Sequence, residues 1–367
     1  MFDIAIEFLN ILTKSSYKAY LVGGYVRDRI LGIESLDIDV NTNATPKEVR
    51  ALFGDSCSVN DDYGSVIVNY KNIRFEVTTF RKELDYSDGR HPDKVEYIDD
   101  LYQDLVRRDF TINTLCIDDE GNVIDFLAGN DDLVKRVIKT VGDANIRFSE
   151  DALRILRAVR FAAVLGFDMD EDVKIAIKNN RHLLKNISYN RKKDELEKIF
   201  SSKEIDSVIG LLIELGLDKE LELNNLEKIN SSITLMGIWA LVDVVNIYPF
   251  SNNEKDIISS INEVLSLDLL DPYTLYKYGL YVCSVACEIV NVDKRLISEV
   301  YSNLSIKDKK DIDISSEEIM SLLNIGPCEY LGKVIDGIEL AILYNKVLNK
   351  KEELSSYIVN NYNRDAC

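Results

Sequence analysis

The fold of this chain is decided by residues 21–40, which read LVGGYVRDRILGIESLDIDV. An apolar lead-in ends at Gly23 and Gly24, where a backbone without Cβ atoms can approach a ligand closely. A short amphipathic helix carrying Arg27 follows, and the chain then returns as a strand in which apolar residues alternate with Asp37 and Asp39. The stretch therefore predicts a strand–helix–strand unit with glycine amides at the helix start and two carboxylates on the returning strand.

The two aspartates are candidate metal ligands. Side chains on a strand repeat every two residues, so Asp37 and Asp39 should project from one face, roughly 6–7 Å apart. A divalent cation between two such carboxylates relieves their repulsion. An Asp-x-Asp pair alone is common on strands, and a lone Gly-Gly usually marks a turn. Their order within one unit, with Arg27 beside them, favours a site for a magnesium-bound triphosphate.

Residues 21–32 followed by Asp37-Ile38-Asp39 resemble the signature of the tRNA nucleotidyltransferase and bacterial poly(A) polymerase family, which belongs to the polymerase-beta-like nucleotidyltransferases. Three later segments resemble further motifs of that family: RRDFTIN at 107–113, EDALRILRAVRF at 150–161 and ISYNRKKDELEKIF at 187–200. After the second motif the family usually has Ala, where this chain has Thr114.

The resemblance implies a site with Asp37 and Asp39 as catalytic ligands of two Mg²⁺ ions. It also implies a set of nucleotide-binding residues, which the motifs place at Gly23, Gly24, Arg27, Arg108, Asp109, Asn113, Asp151, Arg154, Arg157 and Arg160.

Glu76 is a further candidate catalytic residue. Residues 65–70 and 73–80 read as two strands of a hairpin around Lys71-Asn72, and apolar residues at 73, 75 and 77 share one face. Glu76 therefore points the other way and could join the aspartates as a third acidic group. A cross-strand ion pair with Arg74 or Arg81 is the alternative, and the pattern favours neither.

Asp151 and Arg154 are the candidate base-reading residues. Ser149 reads as a helix N-cap with Asp151 in the first turn, so that Asp151 and Arg154 would lie one turn apart. A carboxylate only accepts hydrogen bonds and a guanidinium only donates them, which matches the amine and unprotonated ring nitrogen that C and A share. The alternative is that Asp151 simply pairs with Arg154 and stiffens the helix.

The fold class predicted is α+β, with a small mixed β-sheet nucleotidyltransferase head followed by an all-α neck, body and tail. The expected divisions are the catalytic head at 1–140, a base-selecting neck at 141–200, a body at 201–270 and a tRNA-binding tail at 271–367. The tail assignment rests on the resemblance of residues 315–355, including Gly326-Pro327, to the tail of the shorter bacterial tRNA nucleotidyltransferases.

Charge and hydropathy bear on the kind of partner and on the cellular location. The formal net charge is −19, but residues 151–200 hold 11 basic and 8 acidic residues and form a positive block. This distribution is compatible with RNA held in one place and argues against nonspecific coating of nucleic acid. No membrane-spanning run, basic signal-peptide start or sign of an obligatory protein partner occurs, so a cytoplasmic location is expected.

The expected activity is template-independent addition of C, C and A to the 3′ end of tRNA, with CTP, ATP and Mg²⁺. Residues 81–98 read as a mobile loop, and their DGRHPD segment resembles the loop of members that add all three nucleotides. A poly(A) polymerase or an enzyme adding only part of CCA is the enzymatic alternative. A noncatalytic RNA-binding paralogue is an alternative of another class, and the intact aspartates, glycines and arginines disfavour it.

Overall fold

The computed structural model describes residues 1–60, 64–84 and 94–363. The chain forms two compact units, Met1–Leu223 and Asn224–Cys367. The first contains a mixed β-sheet followed by helices, and the second is helical, which confirms the predicted α+β class. The four-part division into head, neck, body and tail remains a prediction.

A mixed sheet in the first unit carries the predicted strand–helix–strand stretch. Among the described residues it has seven strands in the order β3-β4-β5-β2-β1-β8-β9. β2 runs parallel to β5, whereas the other neighbouring pairs are antiparallel. The strands are β1 (Ala19–Val22), β2 (Ile38–Thr42), β3 (Cys57–Asn60), β4 (Ser65–Tyr70), β5 (Ile73–Thr79), β8 (Cys116–Ile117) and β9 (Val123–Ile124).

Alternation of side chains on the strands separates the core from the site. On β5, Phe75 and Val77 are buried, and Phe75 stacks on Phe8 of the first helix with ring centroids 4.1 Å apart. Ile38 and Val40 of β2 are buried in the same way. The intervening residues, Asp39 among them, therefore face away from this core.

The loop predicted at 81–98 begins and ends in strands. β6 (Arg81–Leu84) pairs antiparallel with β7 (Lys94–Tyr97), so the prediction of a loop over the whole range is wrong at its two ends. Cross-strand hydrogen bonds order these polar residues without the apolar alternation that would have revealed a strand. The central residues 85–93, which include the whole DGRHPD segment, lie outside the described residues.

The helices of the first unit follow and flank the sheet. They are α1 (Phe2–Lys14), α2 (Gly23–Ile30), α3 (Pro46–Phe53), α4 (Leu101–Val106), α5 (Gly129–Lys135), α6 (Ala144–Glu150), α7 (Leu153–Leu165), α8 (Glu171–Asn180), α9 (Tyr189–Phe200), α10 (Ile205–Glu214) and α11 (Leu217–Glu220). A parallel two-stranded ladder joins β10 (Val137–Ile138) to β11 (Asp168–Met169).

The helix boundary near Ser149 differs from the prediction. Ser149 lies in the last turn of α6, whose N-cap is Asp143, and α7 begins only at Leu153. Asp151 occupies the junction in an extended conformation, and its carboxylate accepts a hydrogen bond from the Leu153 amide (2.9 Å). The predicted N-cap at Ser149 is wrong because an aspartate two residues later performs the capping.

The second unit consists of helices. These are α12 (Leu235–Leu241), α13 (Asn252–Val264), α14 (Pro272–Val290, kinked at Gly279), α15 (Lys294–Ser302), α16 (Ser316–Leu323), α17 (Glu329–Leu343) and α18 (Lys351–Asn361). Gly326 and Pro327 precede α17, as the tail resemblance implies. Across the described ranges no helix is both long and apolar enough to cross a membrane.

Candidate active site

Two carboxylates face each other across the parallel strands β2 and β5. Asp39 and Glu76 are register partners, and both line one cavity. Burial raises the pKa of Asp39 to about 6, and the nearby charges of Glu76 and Asp37 act in the same direction against the opposing effect of Arg108. This central part of the sheet therefore carries negative charge that the neighbouring cations do not fully compensate.

Asp37 lies just before β2 and is exposed, and it lines an adjoining cavity together with Asp39 and Glu76. Glu76 forms no ion pair within the described part of the chain, so the ion-pair alternative with Arg74 or Arg81 is not realised there. The acidic group is thus available on the same side as the two aspartates.

The carboxylates fit a divalent cation that shares its coordination with a ligand. In the described ranges no three His, Cys, Asp or Glu side chains lie close enough to enclose a metal ion on their own. Mg²⁺ is commonly held by one or two carboxylates, with substrate phosphates and water as the other ligands. The raised pKa of Asp39 indicates a place where added positive charge is stabilising.

Gly23 is required by the geometry of the site. It has φ +68°, and a Cβ atom there would lie 3.1 Å from Oδ2 of Asp39 and 3.3 Å from Nη1 of Arg108. A side chain would be strained by this φ and would crowd the two charged groups. Gly24 follows in the first turn of α2, so the backbone turns beside the carboxylates at the position that the sequence predicts.

A chain of polar contacts joins α2 to α7. Arg27 donates from Nη1 to the side-chain oxygen of Asn113 (2.8 Å), and Asn113 donates to Oδ1 of Asp109 (3.2 Å). Arg157 of α7 donates from Nε to Oδ2 of Asp109 (2.6 Å). Four residues predicted from three separate motifs therefore form one connected network.

Asp109 is the centre of that network. Burial alone would raise its pKa, but the charge of Arg157 and hydrogen bonds from Asn113 and Arg157 outweigh burial and hold the pKa at about 2. Asp109 is consequently ionised at every physiological pH and anchors Arg157 at the wall of the cavity.

Three arginines, Arg27, Arg157 and Arg160, surround the ring of Phe161, and we call them the arginine wall. The guanidinium carbons of Arg27, Arg157 and Arg160 lie 5.2, 5.4 and 4.6 Å from the ring centroid. Arg160 also pairs with the buried Glu195 of α9 (3.2 Å). Cations stacked on an aromatic face keep their hydrogen-bond donors at the edge, where an anion can reach them.

Asp104, which the sequence reasoning missed, lines neither cavity but contacts three residues that line the first one. It is fully buried and accepts hydrogen bonds from Arg107 Nε (2.9 Å) and Nη2 (2.7 Å) and from the side chain of Asn41. Nη2 of Arg108 lies 3.8 Å away. An acidic residue three and four positions before two arginines on a helical segment was the available signal.

Asp151 and Arg154 both reach the cavity, but each is held by a partner other than the one considered. Asp151 pairs with Arg191 of α9 (3.1 Å), and Arg154 donates to Glu150 (2.5 Å) and to the carbonyl of Arg147 (3.1 Å). The alternative of a direct Asp151–Arg154 pair is therefore not observed. Arg191 was counted only as part of the basic block, and its role here was missed.

Twelve of the thirteen predicted site residues line a single cavity of about 730 Å³ in the first unit. Asp37 is the exception and lines the adjoining cavity of about 660 Å³. The twelve are Gly23, Gly24, Arg27, Asp39, Glu76, Arg108, Asp109, Asn113, Asp151, Arg154, Arg157 and Arg160. The cavity is basic on the α7 side and acidic along the sheet, an arrangement that fits a polyphosphate with a bound cation.

Models of known families match three segments of the chain. Residues 19–139 match the "Poly A polymerase head domain", and residues 166–225 match the "Probable RNA and SrmB- binding site of polymerase A". Residues 233–358 match the "tRNA nucleotidyltransferase domain 2 putative". The first match covers the sheet and most of the residues that carry carboxylates into the cavity.

Full-length relatives and a solved structure agree with these matches. A CCA-adding enzyme of Geobacillus sp. is 34% identical over 98% of this chain and 96% of the relative, and one of Bacillus pumilus is 33% identical over 97% and 96%. The crystal structure of the Bacillus stearothermophilus CCA-adding enzyme in complex with CTP superposes with a TM-score of 0.85 at 27% identity, covering 98% of this chain and 97% of that one. The chain belongs to the family of CCA-adding enzymes.

Proposed function

We propose that this protein adds C, C and A to the 3′ end of tRNA, without a nucleic-acid template, from CTP and ATP. The observation that carries the proposal is the single cavity lined by Asp39 and Glu76 of the sheet, by the arginine wall, and by Asp151 and Arg154. The CTP-bound relative from Bacillus stearothermophilus, similar over nearly the whole chain, supports the same ligand for this cavity.

The reaction is a displacement at the α-phosphorus of the nucleotide. The 3′-hydroxyl of the RNA releases its proton to solvent as its oxygen forms the new bond to the α-phosphorus, the bond from that phosphorus to the oxygen bridging it to the β-phosphate breaks, and pyrophosphate leaves with the electron pair. The Gly24 amide, Arg27 and Arg108 hold the triphosphate, while Arg157 and Arg160 neutralise charge that develops on it. Asp109 and Asn113 hold the ribose side of the nucleotide and keep Arg157 in place.

The metal in this proposal is Mg²⁺, as a pair of ions held by Asp37 and Asp39. Bound there, the ions would activate the 3′-hydroxyl and neutralise the leaving pyrophosphate. Glu76 is proposed as the third acidic group of the catalytic set, because it is the register partner of Asp39 and has no ion-pair partner in the described ranges.

Base choice is proposed to rest on Asp151 and Arg154. The bonds that Arg154 makes to Glu150, Arg147 and Arg107 use three of its five N–H donors, which leaves donors for a base. One oxygen of Asp151 accepts a hydrogen bond from the Leu153 amide and the other accepts one from Arg191. A carboxylate has about four acceptor positions, so Asp151 can still accept from a base. Accepting from an amine and donating to a ring nitrogen suits C and A, whereas G and U present the reverse pattern.

The domain roles follow from the same proposal. Residues 1–140 are proposed as the catalytic head, 141–200 as the neck that selects the base, 201–270 as the body and 271–367 as the tRNA-binding tail. The match of residues 233–358 to a tRNA nucleotidyltransferase domain supports the last role. A cytoplasmic location belongs to the proposal, because the tRNA substrate is there.

The test is to incubate the full chain with tRNA that lacks its 3′-terminal CCA, supply CTP, ATP and Mg²⁺ singly and together, and sequence the product ends. Addition of CC with CTP alone and CCA with both nucleotides is expected. Addition of A only, or of a long A tract, would assign the alternative activities instead. Tight tRNA binding without any addition would identify a noncatalytic paralogue.

A further inference from the structure

A buried carboxylate outside both cavities contacts four residues that line the larger one. Asp104 of α4 is fully buried and lines neither cavity. Its Oδ1 atom accepts hydrogen bonds from Nε (2.9 Å) and Nη2 (2.7 Å) of Arg107 and from the backbone amide of Arg81 (3.2 Å). Its Oδ2 atom accepts one from the side chain of Asn41 and lies 3.8 Å from Nη2 of Arg108. Asp104 therefore joins β2, the start of β6 and the residues after α4 at the wall of the cavity of about 730 Å³.

Arg108 is the least firmly held of these four residues. Its Nη1 atom donates one hydrogen bond, to the carbonyl oxygen of Asn113 (3.3 Å). Its Nε atom is buried and has no hydrogen-bond partner within the described residues. The separation of 3.8 Å from Asp104 is longer than a charge-assisted hydrogen bond, so the attraction there is mainly between charges. The position of the guanidinium therefore depends strongly on which carboxylates are charged around it.

Asp39 is the other carboxylate within reach of Arg108. A Cβ atom on Gly23 would lie 3.1 Å from Oδ2 of Asp39 and 3.3 Å from Nη1 of Arg108, so both groups border one space that this glycine leaves open. In the described ranges Arg108 nevertheless forms its ion pair with Asp104 and none with Asp39. The arginine thus has two possible carboxylate partners, and the structure shows it with the one that does not line the cavity.

We propose that Asp104 is a positioning residue for nucleotidyl transfer, whose charge holds Arg108 away from Asp39. The inference rests on the proposed function, in which Asp39 is a metal ligand and Arg108 holds the triphosphate. A guanidinium paired with Asp39 would compete with a divalent cation for the same carboxylate. The pair would also withdraw N–H donors of Arg108 from the triphosphate. Asp104 keeps both groups available for ligands without contacting a ligand itself.

Asp104→Asn changes the charge and preserves the shape. The carboxamide oxygen can accept from Arg107 as Oδ1 does, and the new amide can donate to Asn41, whose own amide turns over to present its oxygen. With the charge removed, we expect Arg108 to pair with Asp39. The dissociation constant for a divalent cation at Asp39 should then rise roughly tenfold, which is the scale of one screened charge pair brought a few Å closer.

The experiment measures Mn²⁺ binding to the full chain by electron paramagnetic resonance, without nucleotide or tRNA. It compares wild type with Asp104→Asn, Arg108→Gln and the double variant, and Asp39→Asn gives the background of ions bound elsewhere on this acidic chain. Asp100→Asn is the matched control, because it makes the same change at the exposed N-cap of the same helix, where Asn caps about as well as Asp. The half-saturating Mg²⁺ concentration for CTP incorporation and the KM for tRNA are measured on the same proteins.

The expected result is that Asp104→Asn alone weakens the Mn²⁺ binding that depends on Asp39. Arg108→Gln and the double variant should bind Mn²⁺ at least as tightly as wild type, because the competing cation is absent from both. The half-saturating Mg²⁺ concentration should rise in Asp104→Asn only, while the KM for tRNA stays within about twofold in that variant. A purely structural role of Asp104 would instead weaken binding in the double variant as much as in Asp104→Asn.

Unchanged Mn²⁺ binding in Asp104→Asn would overturn the proposal, and so would a loss that persists when Arg108→Gln is added. The double variant decides the matter if Asp104→Asn alone does not fold, because removing both partners leaves neither charge of the pair unmatched. In that case the double variant must bind Mn²⁺ as Arg108→Gln does, and weaker binding refutes the proposal. Equal Mn²⁺ binding by wild type and Asp39→Asn would refute the metal assignment of the proposed function and this inference with it. A chain that binds Mn²⁺ as expected but adds no nucleotide would refute the proposed function alone.

Discussion

Two carboxylates that line the same cavity have opposite electrostatic environments. Asp39, on the sheet, has its pKa raised to about 6 by burial and by the neighbouring charges of Glu76 and Asp37. Asp109, on the arginine wall, is subject to the same effect of burial, but Arg157 and Asn113 hold its pKa at about 2.

The difference lies in the partners, since burial acts on both groups in the same direction. Asp109 has a cation and an amide within hydrogen-bond distance, so its charge is compensated within the protein. Asp39 has acidic neighbours and is compensated only in part by Arg108. A carboxylate of the first kind positions other residues, and one of the second kind favours an added cation.

The largest effect is expected at Asp39 on the central strand β2. Asp39→Asn removes a proposed metal ligand but no internal ion pair, so incorporation of CMP should fall by about a thousandfold or more while the thermal midpoint is unchanged or slightly higher. Rates of CTP incorporation and thermal melts are the measurements. Asp55→Asn, an exposed carboxamide control outside the cavities, should alter neither. A substantially active Asp39→Asn protein would refute the metal-ligand assignment.

A second large effect is expected on the choice of base, when Asp151 is replaced. Asp151→Ala removes the proposed acceptor for the exocyclic amine, so discrimination of several hundredfold or more between CTP or ATP and UTP or GTP should largely disappear. Arg191→Ala, which frees Asp151 from its partner, should relax the choice less. The measurement is kcat/KM for each nucleotide on one tRNA, with exposed Asp194→Ala on α9 as the control. An unchanged ranking in Asp151→Ala would contradict the base-reading role.

A stability effect should distinguish Asp109 from Asp39. Asp109→Asn leaves Arg157 without its carboxylate, and an unsatisfied partner costs about 1–3 kcal/mol. Arg157 is about one-third exposed, so water compensates part of this loss and the lower end of the range is expected. The thermal midpoint of the first unit should fall in Asp109→Asn and not in Asp39→Asn. Equal destabilisation of the two variants would remove the distinction between them.

The smallest effect is the pH dependence of the difference in thermal midpoint between wild type and Asp109→Asn. The folded pKa of Asp109 is depressed, so its contribution to stability is fully present above its unfolded value of about 4 and is lost as the pH falls through about 2. The gap in thermal midpoint between wild type and Asp109→Asn should therefore be constant near neutrality and shrink below about pH 4. Melts at a series of pH values test this, and a gap that widens in acid would give the wrong sign.

Local patterns were sufficient for the elements that build the site. Gly23 and Gly24 at the start of α2, the alternation on β2 and the outward direction of Glu76 on β5 depend on backbone geometry and a two-residue period. Backbone geometry and the two-residue period both depend on only a few neighbouring residues, so they can be predicted directly from the sequence. The arginines on α7 were predicted to bind the nucleotide only because the segment resembles a known family. Their spacing alone would fit any basic helix face.

The tertiary structure alone decided which charges meet. Arg191 and Asp151 are 40 positions apart, Arg157 and Asp109 are 48 apart, and no local period specifies either contact. The same holds for the contact of Asp104 with Asn41 of β2, 63 positions away. The sequence by itself therefore determined which candidate residues to expect around the cavity. The fold determined their ionisation and partners, because the electrostatic environment of a side chain depends on every group packed around it, however distant in the chain.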